Sequence, residues 1–204
     1  DILFVTHSHV DHVGRIPKLI HEGFRGKIYS THPTKALSLP MLEDTTGILS
    51  KNTNLGLDKI YTEENIRLTF SLWEGFDYHQ KITITPNVEV SMLNAGHILG
   101  SAMIVFIYNG KKIMFTGDLG NSPSPLLPDT EHVTDVDYLI MESVYGDRNH
   151  ESRYDRRRAL AEIIEENYNR KGTLVIPTFS LERSQELLFE LNNLVEERKI
   201  PIMP

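Results

Sequence analysis

The run His7-Ser8-His9-Val10-Asp11-His12 constrains this chain more than any other stretch, because it crowds three imidazoles and a carboxylate directly behind an apolar strand. Ile2-Leu3-Phe4-Val5, closed by Thr6, has the pattern of a buried strand, and Gly14 through Ile20 reads as the helix that follows. The six residues therefore occupy a strand-to-helix turn. His7 and His9 stand two apart and point the same way in extended backbone, whereas Asp11 and His12 are neighbours that must diverge as the helix begins. That divergence suits two metal ions better than one. Imidazole together with carboxylate favours zinc or a similar divalent transition metal, and with no cysteine in the chain no thiolate competes. The plainer alternative is a polar turn that happens to be rich in histidine. Spacing and context both oppose it.

Two later segments share a plan, each placing a histidine or an aspartate after a glycine at the end of an apolar stretch: Leu93-Asn94-Ala95-Gly96-His97 and Ile113-Met114-Phe115-Thr116-Gly117-Asp118. Glycine there lets backbone approach a crowded site. With these segments the chain resembles the metallo-β-lactamase superfamily, whose signature is His-x-His-x-Asp-His, then a distal His, then a bridging Asp. All six positions are filled. The flanks point to a branch: Gly96-His97-Ile98-Leu99-Gly100-Ser101-Ala102, then Met141-Glu142-Ser143-Val144-Tyr145-Gly146-Asp147-Arg148, then Ile176-Pro177-Thr178-Phe179-Ser180-Leu181-Glu182-Arg183. These are similar to the β-CASP nucleases, in particular the RNA-processing group that includes the cleavage and polyadenylation nuclease and its bacterial and archaeal relatives. The resemblance covers nearly the whole chain. It departs at Glu182, where the family has glycine before the arginine; glutamate resists positive φ, so the turn is expected to be reshaped or strained.

The fold implied is α/β: a partial metallo-β-lactamase αββα sandwich over residues 1–147, followed by the start of an α/β β-CASP domain over 148–204. The chain reads as a fragment, with the family's first strands ahead of Asp1 and a further ligand histidine and a proton-donating histidine beyond Pro204. Carried over by resemblance, His7, His9 and His97 hold one zinc, Asp11 and His12 hold the second, and Asp118 bridges both. Two Zn2+ ions are thus implied, the second site being incomplete in this stretch, with hydroxide between them as nucleophile. Asp11 is the residue expected to accept a hydrogen bond from that hydroxide and aim it. Glu142 matches the first β-CASP motif, whose implied role is to orient the histidine that protonates the leaving 3′-oxygen; the alternative is an acid that caps a turn at a strand end.

The activity implied is zinc-dependent hydrolysis of RNA phosphodiester bonds, by endonuclease or exonuclease action. A small-molecule metallo-hydrolase of thioester or lactone type would use the same site without needing the segment from Glu142 onward, and a non-catalytic RNA-processing scaffold would be expected to have lost ligands. The implied partner is RNA, and oligomerisation stays open. Lys+Arg 21 against Asp+Glu 28 gives a net charge of -7, which argues against a uniformly basic face while leaving room for a local patch. Absence of cysteine suits a reducing, cytoplasmic setting, and no apolar run approaches the length of a membrane span.

Along the rest of the chain, Gly26–Thr31 reads as a strand, and Pro33 opens a helix running to about Asn52. Thr62-Glu63-Glu64 marks a helix start, and Trp73, Phe76 and Tyr78 read as packing at its end in preference to stacking on bases. Ile82 and Ile84, then Val88, Val90 and Met92, form two strands around Pro86-Asn87. Ala102–Tyr108 and Lys111–Thr116 form a hairpin about Asn109-Gly110, and Asp137–Met141 is a further strand. Arg153–Lys171 and the stretch through Leu187, Leu191 and Leu194 have helical spacing, with Leu174-Val175-Ile176 as a buried strand between them and Ile200 to Pro204 strand-like. Arg153, Arg156, Arg157 and Arg158 spread around their helix, as a solvated face or as a track for phosphates. His21, His32, His79 and His132 lack ligand spacing and are left unassigned.

Overall fold

The computed structural model describes residues 1–149 and 152–202, so His150, Glu151, Met203 and Pro204 lie outside the described residues. The chain divides into two units, Asp1–Glu142 and Ser143–Pro204. The sequence places this division slightly later, near Asp147.

Two sheets form the first unit. One is wholly parallel, in the order β1 (Ile2–Phe4), β2 (Lys27–Thr31), β3 (Trp73–Phe76). The helices that parallel connections require lie between the strands: α1 (Val10–Val13), α2 (Ile16–His21), α3 (His32–Leu49), α4 (Leu57–Ile60) and α5 (Glu63–Leu72). Sequence chemistry sets their starts. Thr31 caps α3 by accepting from the Thr34 amide, with Pro33 in the first turn, and Thr62 caps α5 by accepting from the Asn65 amide, with Glu63 and Glu64 behind it.

The helix expected over 14–20 starts at Ile16 instead, and a separate short helix precedes it over Val10–Val13. Pro17 sits in the first turn of α2, where its missing N–H costs no hydrogen bond, so the helix restarts there and Asp11 and His12 fall inside the separate α1. A second difference is β3. Trp73 and Phe76 lie on a parallel strand, with the Trp73 ring stacked on Phe70 at 5.3 Å and its Nε1–H donating to Ser30 Oγ at 2.8 Å.

The second sheet runs β4 (Ile82–Thr85), β5 (Val88–Asn94), β6 (Ala102–Tyr108), β7 (Lys111–Phe115), β8 (Tyr138–Ile140). Neighbours are antiparallel until β8, which joins β7 in parallel. Asn109 and Gly110 have φ of 49° and 76°, the left-handed pair that a two-residue hairpin turn requires.

Alternation sorts the side chains of the two sheets into layers. Val90, Met92, Ala102 and Ile104 face Phe4, Tyr29 and Phe76, so the sheets pack on one another. The outer face of the parallel sheet buries Ile28 and Trp73 against Val13, Ile16, Ile20, Leu42 and Ile66 of the helices. Each such fully buried aliphatic side chain contributes about 1.5–3 kcal/mol. On the outer face of the other sheet, Met103, Val105 and Met114 pack with Leu119, Val133 and Val136, so within this unit that layer is chain segment rather than helix.

The second unit contains α6 (Arg153–Asn169) and α7 (Arg183–Glu196), which share a small core of Ile164, Leu194 and Ile200. Two members of the basic run form ion pairs: Arg157 reaches Glu190 at 3.2 Å and Glu197 at 2.8 Å, and Arg158 reaches Asp155 at 3.3 Å. The strand expected at Leu174-Val175-Ile176 is absent, and Val175 is 80% exposed. Three apolar residues do not make a strand without a partner for their backbone, and among the described residues of this unit no strand pairs with them. Ile200-Pro201-Ile202 likewise forms no strand.

Glu182 bears the expected strain. Its φ of 65° and ψ of -57° close a tight turn in which the Arg183 amide donates to the Leu181 carbonyl at 2.9 Å. A side chain in that region costs on the order of 1–3 kcal/mol. No helix among the described residues is long and apolar enough to cross a membrane.

Candidate metal centre

Three strands of the first unit end at one edge, and each delivers part of a cluster. β1 leads through Val5 and Thr6 to His7; β5 leads to His97; β7, which runs in the same direction as β5, leads to Asp118. The sheets are stapled at this edge, where the Ala102 amide opening β6 donates to the Thr6 carbonyl at 2.8 Å.

His7 Nε2 lies 3.2 Å from His9 Nδ1, which lies 3.1 Å from His97 Nε2. Asp118 Oδ2 is 3.8 Å from His7 Nε2 and 3.7 Å from His97 Nε2, and the four ligand atoms of His7, His9, His97 and Asp118 all fall within 4.8 Å of one another. Two atoms each about 2.0–2.1 Å from a zinc at tetrahedral angles lie about 3.3–3.4 Å apart. The separations of 3.1–3.8 Å are close to those of a tetrahedral shell.

The other carboxylate oxygen of Asp118 looks elsewhere. Oδ1 lies 3.4 Å from His12 Nε2, which in turn is 3.6 Å from Asp11 Oδ2. The first turn of α1 thus presents Asp11 and His12 to a second location, with the side chain of Asp11 74% exposed and that of His12 29% exposed. All six residues singled out in the sequence as ligands are brought together. His21, His32, His79 and His132 are exposed and stand outside the group.

His7 is wholly buried. Burial pushes its imidazole down to about 2, and the neighbouring His12, His97 and His9 push the same way. A neutral imidazole is the form that offers a lone pair to a cation. The shift also sets a pH dependence. The unfolded chain protonates His7 near 6.5 while the folded chain does so only at about 2, so in that window the unfolded state binds the extra proton. Metal-stripped protein is therefore expected to lose stability as pH falls below 6.5, by about 1.4 kcal/mol per pH unit from this residue. Urea unfolding across pH 5–7.5 measures it. A His7→Leu variant should show a shallower slope, and equal slopes in the two proteins would reject the assignment.

Residues to which the sequence assigns no role hold the ligands in place. Ser101 Oγ accepts from the His97 and Ile98 amides at 3.0 and 3.2 Å, and Thr31 and Thr34 hydroxyls donate to the Gly100 carbonyl at 2.6 and 2.8 Å. Tyr78 donates to the Ser101 carbonyl at 2.9 Å; burial, assisted by Glu131, pushes its phenol up to about 12, which keeps the proton needed for that bond. Gly117, at φ 56°, brings the Asp118 loop so close that a Cβ would stand 2.7 Å from Thr6 Cβ. Glu142 lies beside this loop, its Oε1 accepting from the Leu119 amide at 2.8 Å. The sequence signal for the loop contacts is the pair of glycines, Gly117 and Gly120, flanking Asp118. The threonine clamp gives no local signal.

Comparison with known proteins gives the family. Residues 1–138 match the family model described as a metallo-beta-lactamase superfamily domain. An RNase J-like protein of Methanocaldococcus jannaschii is 37% identical over 207 residues, covering 100% of this chain and 46% of the relative. Endoribonuclease YSH1 of Gibberella zeae is 35% identical over 94% of this chain and 23% of its own length, and ribonuclease TTHA0252 of Thermus thermophilus is 33% identical over 94% and 42%. The chain thus spans less than half the length of these curated relatives. The stretch matched by the family model takes in every element that carries the cluster, and on that ground the chain belongs to the metallo-beta-lactamase superfamily.

Proposed function

We propose that the protein carrying this chain is a zinc-dependent ribonuclease of the β-CASP group, hydrolysing phosphodiester bonds of RNA inside the cell. The observation that carries this is the split carboxylate of Asp118, one oxygen facing His7 and His97 and the other facing His12. The names of the relatives, an endoribonuclease, an RNase J-like protein and a ribonuclease, support RNA as the substrate. The second unit, Ser143–Pro204, is read as the opening of the β-CASP domain.

His7, His9 and His97 would hold one zinc with Asp118 Oδ2; Asp11, His12 and Asp118 Oδ1 would contribute to a second. A pair of divalent cations supplies acidified water and screens the charge of a phosphodiester. The chain's own residues do the rest. His7, buried and neutral, keeps its lone pair available across the physiological range. Asp11, exposed at the rim, is placed to accept a proton from a water molecule and to aim it at an incoming phosphate.

The test is cleavage of end-labelled RNA by the full-length gene product, before and after chelation, with metal content measured in parallel. Cleavage lost on chelation and restored by zinc, with about two metals per chain, is the expected result. Hydrolysis of a thioester or lactone without RNA cleavage would replace the proposal with a small-molecule hydrolase. RNA binding without any hydrolysis would leave a scaffold.

A further inference from the structure

Asp118 sits in a short segment, Thr116 to Gly120, whose backbone is tied at several points. Beyond the last residues of β7 and β8, the Thr116 amide donates to the Ile140 carbonyl at 3.0 Å, which extends the parallel ladder by one step. That step places Glu142 level with the Asp118 loop. The Glu142 amide donates to Thr116 Oγ1 at 3.2 Å, and Thr116 Oγ1 donates to the Gly117 carbonyl at 2.7 Å. On the far side the Gly120 amide donates to the Ala95 carbonyl at 2.8 Å. Between these, the Leu119 amide donates to Glu142 Oε1 at 2.8 Å.

We infer that Glu142 is a positioning residue for Asp118, acting through the Leu119 amide. This rests on the reading of Asp118 as a bridging ligand. The Leu119 N–H belongs to the peptide plane that begins at the Asp118 carbonyl carbon, so holding that plane restrains ψ of Asp118 and with it the Cα–Cβ direction from which the carboxylate projects. A carboxylate accepting from a backbone N–H is a charge-assisted bond, among the stronger restraints a side chain can place on a loop. The Glu142 backbone is itself held through Thr116, so the restraint has a firm base. Aim matters here, since the two oxygens of Asp118 face different imidazoles and a modest rotation would withdraw one of them. This role differs from orienting a proton-donating histidine, the one implied by the motif alone.

Two substitutions separate the roles. Glu142→Gln keeps an oxygen that can accept from Leu119 but removes the charge and any capacity for proton transfer; Glu142→Ala removes both. Zinc affinity is measured by chelator competition, and Leu119 amide hydrogen exchange is followed in the metal-free protein. Glu142→Ala is expected to bind zinc about 10–100-fold more weakly and to exchange the Leu119 amide faster. Glu142→Gln should lose less affinity than Glu142→Ala, because an acceptor oxygen for the Leu119 amide is kept. Equal loss of RNA cleavage in both variants, with parental zinc affinity and Leu119 exchange, would overturn the inference in favour of a proton-transfer role. If the parent protein itself binds no zinc, the reading of Asp118 fails, while the exchange measurement still decides whether Glu142 holds the loop.

Discussion

Asp118→Ala is expected to abolish RNA hydrolysis while RNA binding survives. The loss should exceed the ~10–100-fold typical of removing an outer partner of a metal ligand, because on the proposed reading this carboxylate serves both ligand groups at once. Oδ2 completes the four-atom set with His7, His9 and His97, and Oδ1 stands 3.4 Å from His12. Removing either histidine would weaken one location. Removing Asp118 takes an anionic oxygen from each and leaves neighbouring imidazoles to hold cations without charge compensation. Metal content should therefore fall together with activity. Substrate binding should persist, since the contacts of an extended RNA with a protein are spread over many phosphates and bases. Metal analysis, cleavage of end-labelled RNA and fluorescence anisotropy on the same preparation check the three parts. A variant that retains two metals and cleaves RNA would remove the bridging assignment.

How far the sequence reveals this site depends on the range of the signal. His7, His9, Asp11 and His12 are legible because their spacing and the apolar run before them are local. The hairpin about Asn109-Gly110 and the caps at Thr31 and Thr62 are legible for the same reason. That His97 and Asp118 meet this group comes from resemblance, and the geometry gives the cause: parallel-running β5 and β7 end at the edge where β1 ends. The clamp from Thr31 and Thr34 to Gly100 spans 69 and 66 residues, so no periodicity within a window could disclose it. β3 escapes the sequence reading because Trp73 both ends α5 and opens the strand, leaving no breaker between them. The opposite error occurs at Leu174-Val175-Ile176, where composition suggests a strand and no neighbour pairs with it among the described residues of its unit. Pro17 is a local signal of the kind a pattern of apolar residues hides: its place in a first turn requires the helix to begin anew at Ile16.

Gly120→Ala is expected to be among the most damaging single methyl groups that can be added to the first unit. An ideal Cβ at Gly120 would stand 1.8 Å from the Gly96 carbonyl oxygen and 2.9 Å from the His97 amide nitrogen. Both obstacles are backbone, so no rotamer change relieves the clash. The two segments are meanwhile drawn together by the bond from the Gly120 amide to the Ala95 carbonyl at 2.8 Å, and Ala95 is fully buried. Relief requires the loop carrying His97 to move away from the loop carrying Asp118. Overpacking commonly costs about 1–3 kcal/mol, and a backbone clash this close belongs at or beyond the upper end. Metal affinity should fall as well, because the movement needed would widen the 3.7 Å separation between His97 Nε2 and Asp118 Oδ2. Gly47→Ala supplies the opposing case. Gly47 lies inside α3, and an alanine methyl there would meet nothing within 4 Å, so the substitution should stabilise by about 0.5–1 kcal/mol through helix propensity. Urea unfolding of the pair gives shifts of opposite sign, and zinc titration a loss in Gly120→Ala alone, if the close approach of residues 96 and 120 is what brings His97 to Asp118. Parental stability and zinc affinity in Gly120→Ala would show that the two loops are not held at this distance.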